Sequence, residues 1–214
     1  MRLRAVVFAV SVAIVAAPAW LAVGPASAQV AAASDPLREF LSSTRSASGA
    51  FTQQVLRDGR VVESSRGRFV FERPGRFRWE VVEPFEQLLV ADGEQLYFYD
   101  KDLNQVTVRS LRDALASTPA AILFGSSELG DGFTLRVLPE HDGLAWIEAL
   151  PRSAETGYQR IELGFRDGLP AVMQVHDAFG RVVRFDFHEV VRDPRTAADA
   201  FRFESPPGAD VVRQ

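Results

Sequence analysis

From Gly49 onward, apolar and polar residues alternate with a period of two along most of the chain. This restricts the fold more than any other feature, because such alternation puts one wet and one apolar face on a strand and cannot line one face of a helix. In the segment Gly67 to Val82, Phe69 and Phe71 share a face, and Phe77, Trp79 and Val81 share a face of the following strand. A three-residue loop at Pro74-Gly75-Arg76 sets Phe71 opposite Trp79, Phe69 opposite Val81 and Glu72 opposite Arg78. A two-residue loop instead sets Phe71 against Arg78, so patterning predicts the longer one.

Tyr158 to Val190 reads the same way, as a three-stranded meander. Ile161, Leu163 and Phe165 oppose Val175, Met173 and Ala171 across Asp167-Gly168, and Val175 and Met173 then oppose Val183 and Phe185 across Ala178-Phe179-Gly180. The other face carries Arg160, Glu162, Arg166, Gln174, His176, Arg184, Asp186 and His188, as in a sheet solvated on one side. Further strand candidates are Phe51 to Leu56, Val61 to Ser64, Gln87 to Ala91, Gln95 to Tyr99, Gln105 to Val108, Phe133 to Leu138 and Leu144 to Leu150. The expectation is one antiparallel sheet of about ten strands.

Two zones break the period. Leu37, Phe40, Leu41 and Thr44 recur at helical spacing behind Pro36, with Ser34 or Asp35 as the cap. Between Ser110 and Gly125, Ser110 with Asp113 resembles a capping box, Leu111 and Leu115 share a face, and Thr118-Pro119 restarts a short helix that Gly125 ends.

Residues 1–28 read as a leader. Arg2 and Arg4 precede an apolar run from Ala5 to Val23, and Ala26-Ser27-Ala28 offers the small residues a signal peptidase requires. The run is long enough to suggest a retained anchor, but Pro18, Gly24 and Pro25 interrupt it and favour cleavage before Gln29. The expectation is an exported, periplasmic chain with one domain over residues 29–214. Without Arg2 and Arg4, 22 basic residues face 28 acidic ones, which argues against a nucleic-acid partner. The absence of cysteine excludes disulfides, thiolate metal sites, thiol nucleophiles and acylation at an N-terminal cysteine.

Little in the sequence points to catalysis. His141 lies beside an Asp-Gly turn, and His176 and His188 fall on the wet face, so no enclosed metal site is expected. There is no nucleophile elbow or phosphate loop, and Asp92, Asp142 and Asp167 each precede a turn glycine, where an aspartate bonds its own backbone. No catalytic residue, cofactor or metal is expected. Arg73 breaks the pattern: it continues the parity of Phe69 and Phe71 onto the apolar face, opposite Phe77. It either snorkels to water from the strand end or turns inward, where several acceptors must meet it. Helix-end carbonyls are such acceptors, so an inward Arg73 can latch a helix over the sheet.

The order of Phe51-Thr52-Gln53-Gln54, Arg73-Pro74 with Phe77 and Trp79, Asp92-Gly93, Tyr99-Asp100, Gln105-Val106, Pro119 with Ile122-Leu123, Asp177 with Phe179-Gly180, and Phe201-Arg202-Phe203-Glu204-Ser205-Pro206-Pro207-Gly208 resembles the LolA family, periplasmic carriers of outer-membrane lipoproteins. Tyr97 stands where many members carry Trp. The resemblance implies a mainly β fold, an unclosed antiparallel β-barrel with a helical lid over an apolar cavity. It makes Arg73 the arginine that bonds the lid, and Phe77 and Trp79 the aromatics at the cavity mouth that accept cargo. Phe69, Phe71, Val81, Leu163, Phe165, Met173 and Phe185 are then candidate lining residues. It further implies acylated lipoproteins as cargo, the inner-membrane ABC transporter LolCDE as donor, the outer-membrane lipoprotein LolB as acceptor, and a monomeric carrier. LolB proteins share the fold but are acylated, which a chain without cysteine cannot be. The alternatives are a LolA-like carrier of another amphiphile such as a glycolipid, a sensor of mislocalised lipoproteins, and, from another class, a secreted hydrolase.

Overall fold

A computed structural model describes residues 35–112, 121–124, 132–153 and 157–214. The leader and most of the second helical zone, with its Ser110–Asp113 capping box and the Thr118-Pro119 restart, lie outside the described residues; Ser110 itself ends a strand.

The first helix, α1 (Pro36–Ser43), begins as its sequence dictates. The Asp35 side chain accepts from the Arg38 backbone N–H at 3.0 Å, and Pro36 occupies the first turn. Thr44 is not part of the helix but its C-cap, with its N–H donating to the Phe40 carbonyl. Leu37, Phe40 and Leu41 are buried. A single helical turn, α2 (Ala121–Phe124), buries Ile122 and Leu123.

The strands are β1 (Ser46–Arg57), β2 (Arg60–Glu72), β3 (Arg76–Glu83), β4 (Gln87–Asp92), β5 (Gln95–Asp100), β6 (Gln105–Ser110), β7 (Phe133–His141), β8 (Leu144–Pro151), β9 (Tyr158–Arg166), β10 (Leu169–Asp177), β11 (Arg181–Arg192) and β12 (Asp210–Arg213). They form one sheet in the order β12-β6-β5-β4-β3-β2-β1-β11-β10-β9-β8-β7. All neighbours are antiparallel except β12, which runs parallel to β6. β7 and β12 stand at opposite edges, so the barrel is unclosed.

The faces agree with the period-two reading, while one register differs. Phe71 lies opposite Phe77, Phe69 opposite Trp79, Gly67 opposite Val81 and Glu72 opposite Arg76. The loop is therefore Arg73-Pro74-Gly75, and Arg73 opens it rather than facing Phe77. A slip of two residues keeps every side chain on its face, so hydrophobic patterning cannot separate the two registers. The observed one also allows Arg76 to bond the Glu72 carboxylate on the outer face. In the meander, Val175 opposes Ile161 and Val183, and Met173 opposes Leu163 and Phe185, as expected. Phe165 instead faces Pro170, because a bulge takes up Ala171. The expected strand at Val61 to Ser64 and the one carrying Phe69 are a single long strand, β2.

One apolar core spans the concave face and both helices. It joins Leu37, Phe40, Leu41, Ile122 and Leu123 to Phe51, Phe71, Ile147, Ile161 and Leu163. The convex face carries polar pairs such as the Arg68–Glu80 ion pair at 2.7 Å and the His176–Glu162 hydrogen bond at 2.9 Å.

Candidate functional site

The turn between β2 and β3 delivers Arg73 into the apolar core, where the residue is 8% exposed. Its Nη1 donates to the Thr44 carbonyl and its Nη2 to the Leu123 carbonyl at 2.5 Å. Its backbone N–H donates to the Arg45 carbonyl at 2.9 Å. The guanidinium carbon also stands 4.7 Å from the Phe71 ring centroid and 5.0 Å from that of Phe40. One side chain thus ties the end of α1, the end of α2 and the rim of the sheet. The carbonyls it meets are helix-end groups without an intrahelical partner, and the flat fork can reach two at once.

Burial lowers the Arg73 pKa to about 10, so the group remains a cation at neutral pH. It is the one charged side chain in the buried set among the described residues, beside Thr44 and Ser65. The latch is not saturated. The Arg73 Nε and the Thr44 hydroxyl are buried without a hydrogen-bond partner, and groups of that kind weaken the closed arrangement.

Trp79 sits in the middle of an aromatic cluster further along the concave face. Its ring stacks on Phe51 with centroids 3.9 Å apart and on Phe69 at 5.9 Å, and meets Phe185 edge-on at 5.6 Å. Gly67 makes this possible. It lies opposite Phe51 in the ladder, and a Cβ there would stand 2.5 Å from Phe51 Cζ and 2.0 Å from the Glu80 carbonyl oxygen. Phe77 is buried between Phe71 and Ala91 on the neighbouring strands. Phe69, Phe71, Val81, Leu163, Phe165 and Met173 are buried in the same core, and Trp79 and Phe185 are partly exposed against it.

Phe51 and Phe187 line this face too and were not among the lining candidates. Their signal was the same parity: Phe51 faces Phe187 across β1 and β11, in step with Phe185. Phe40 and Thr44 were legible as positions on one helical face, and Leu123 as part of a short helix, but none of them as a partner of Arg73.

The histidines have ordinary neighbours. His141 packs on Trp146, His176 bonds Glu162 and His188 bonds Thr52. The Asp92 carboxylate accepts from the N–H groups of Glu94 and Gln95, which close its turn. The arrangement places an apolar interior under two helices whose ends are joined by one polar clasp.

Among known proteins, the family model described as outer membrane lipoprotein carrier protein LolA matches residues 42–204. A curated relative from Cupriavidus taiwanensis is 50% identical over 188 residues, covering 86% of this chain and 89% of its own length. One from Bordetella avium is 42% identical over 196 residues, covering 91% and 94%. Both bear the name outer-membrane lipoprotein carrier protein. Among solved structures, an uncharacterized conserved protein from Thermus thermophilus superposes with a TM-score of 0.54 at 17% identity, over 84% of this chain and 96% of that one, a likeness of fold alone.

Proposed function

The chain belongs to the LolA family of outer membrane lipoprotein carrier proteins, and from that membership we propose that it is a periplasmic chaperone that shields the acyl chains of lipoproteins between two membranes. In this reading residues 1–28 direct export and are removed. The cargo leaves the inner membrane through the LolCDE transporter and passes to LolB at the outer membrane. The role requires binding and release without bond making or breaking.

An acyl chain withdrawn from a bilayer loses about 0.8 kcal/mol per methylene in water. A concave apolar face under two movable helices offsets that loss. Phe69, Phe71, Val81, Leu163, Phe165, Met173 and Phe185 line the space, and Phe77 and Trp79 meet the entering chain. The observation that carries the reading is the clasp: Arg73 joins the ends of α1 and α2 over that face. An incoming chain displaces those bonds, and their return helps to expel it at the acceptor.

The test is release of lipoproteins from inner-membrane vesicles that hold the transporter. Addition of this protein with ATP moves lipoproteins into the soluble fraction as a carrier complex, and the recovered protein begins at Gln29. Trp79→Glu, with a charge among the aromatics, keeps the sheet but loses acceptance. Failure of the unaltered protein to solubilise any lipoprotein overturns the proposal.

A further inference from the structure

The two carbonyls that Arg73 engages on the α1 side belong to a very short connector. α1 ends at Ser43, β1 begins at Ser46, and only Thr44 and Arg45 lie between them. Thr44 is extended, with φ −122° and ψ 109°. An acceptor on such a span is placed only as well as the span's two ends are held. One end is the helix, where the Thr44 N–H donates to the Phe40 carbonyl at 3.0 Å. The other end is Ser46, and what fixes it lies 147 residues away.

The β1–β11 ladder has its last backbone pair at Ala47 and Arg192. The next step sets Ser46 beside Asp193, and there the pattern changes. In a hydrogen-bonded antiparallel pair the two residues exchange both N–H···O=C bonds. The Asp193 N–H makes its half of the exchange, donating to the Ser46 carbonyl at 2.9 Å. The return bond goes to a side chain instead. The Ser46 N–H donates to Asp193 Oδ1 at 3.2 Å, and the Ser46 hydroxyl donates to the same oxygen at 3.3 Å. The cause is local. Asp193 has a φ of +48°, in the left-handed region that aspartate tolerates better than most residues. Pro194 follows, and β11 ends at Arg192. The chain leaves the ladder at this point, and the carboxylate takes the place of a backbone carbonyl. One acidic residue thus satisfies the N–H, the hydroxyl and the carbonyl of Ser46.

Ser46 also lies opposite Glu72, the residue before Arg73. Three neighbouring strands therefore meet at the latch: β2 leads into Arg73, β1 follows its acceptors, and β11 ends at the anchor. Arg45 does not fix the connector by charge, since its exposed guanidinium stands 3.9 Å from the Glu72 carboxylate, a loose surface pair. We propose that Asp193 is a positioning residue of the latch. By anchoring Ser46 it holds the Thr44 and Arg45 carbonyls where the Arg73 guanidinium and N–H meet them, and it makes residues 44 and 45 the pivot on which α1 swings when the latch opens. Without the anchor the start of β1 yields with the helix, and Arg73 loses a fixed acceptor. A cap on a strand end stabilises β1 whatever stands at position 73, whereas a positioning residue acts through Arg73. That difference is measurable.

The assignment rests on the clasp of the carrier reading, but its test contains no cargo, so the two fail separately. Hydrogen exchange is followed on the processed, cargo-free protein at the amides of residues 44 and 73, which bond the Phe40 and Arg45 carbonyls. Asp193→Gly accepts the positive φ and removes the carboxylate. It is expected to accelerate exchange at both amides about tenfold, about 1.4 kcal/mol, with amides of the β9–β10 ladder unchanged. Asp193→Asn offers the same side-chain oxygen and tolerates the same backbone, so it is expected to stay within about threefold of the unaltered protein. In an Arg73→Leu background the Thr44 carbonyl has no guanidinium to meet, and Asp193→Gly is expected to add less than about twofold at residue 44. Equal acceleration in both backgrounds reduces Asp193 to a strand-end cap and overturns the proposal. Unchanged protection in Asp193→Gly, an asparagine variant that exchanges as fast as the glycine one, or acceleration that spreads to the β9–β10 ladder overturns it too.

Discussion

Replacing Arg73 by leucine removes both hydrogen bonds that clasp α1 and α2 while leaving an apolar side chain in the site. Hydrogen bonds from a charged donor contribute about 1.5–3 kcal/mol each. The lower end applies here, because the guanidinium is held in a desolvating site that brings its pKa down to about 10. Two bonds at that end amount to about 3 kcal/mol, and at about 1.4 kcal/mol per factor of ten the open lid becomes roughly a hundredfold more populated. The Thr44 amide, bonded to the Phe40 carbonyl at 3.0 Å, reports on this region. Hydrogen exchange at residues 39–44 is therefore expected to accelerate about a hundredfold in Arg73→Leu. Amides at the Leu56–Val182 end of the β1–β11 ladder, remote from the latch, keep their protection. Arg73→Lys falls between, since a single ammonium cannot meet two carbonyls through a planar fork. Unchanged protection at residues 39–44 in Arg73→Leu refutes the reasoning and leaves the arginine as a buried rim residue without control of the lid.

Thr44→Val tests the unsaturated side of the same clasp. The shape is kept and a buried hydroxyl without a partner is removed, so the closed form gains about 1 kcal/mol and the melting temperature rises by about 3 °C; a fall shows that the hydroxyl is bonded. Gly67→Ala drives a methyl group into the Glu80 carbonyl oxygen and the Phe51 ring. It is expected to cost about 3 kcal/mol in chemical denaturation and to alter the tryptophan emission, and an unaltered midpoint removes the close approach of Phe51 as the basis of the stack.

How much of this was legible in the sequence differs from feature to feature. The α1 start was readable from Asp35 and Pro36, because a cap acts within one turn. The inward path of Arg73 was readable as an exception to parity. Its partners were not, since the Thr44 and Leu123 carbonyls lie 29 and 50 residues away and any helix end could have supplied them. β12 escaped notice because it is a four-residue parallel strand with mostly exposed side chains; its pairing with β6 is made by backbone, assisted by the Asn104 side chain on the Gly208 carbonyl, and leaves no hydrophobic pattern.

The sequence by itself determined which side chains face the concavity. Alternation is a local stereochemical property of extended backbone, and Phe69, Phe71, Trp79, Val81, Met173 and Phe185 all keep the face their parity assigns. Only the tertiary structure decided which of them touch. A slip of two residues between β2 and β3 preserves every face yet exchanges every partner, and the bulge at Ala171 shifts partners locally. The stack of Phe51 on Trp79 needs Gly67 beneath it, and the anchoring of Ser46 by Asp193 needs two strand ends brought together from 147 residues apart. Side-chain direction is set residue by residue, whereas register and adjacency are set by loop geometry and packing across the whole sheet.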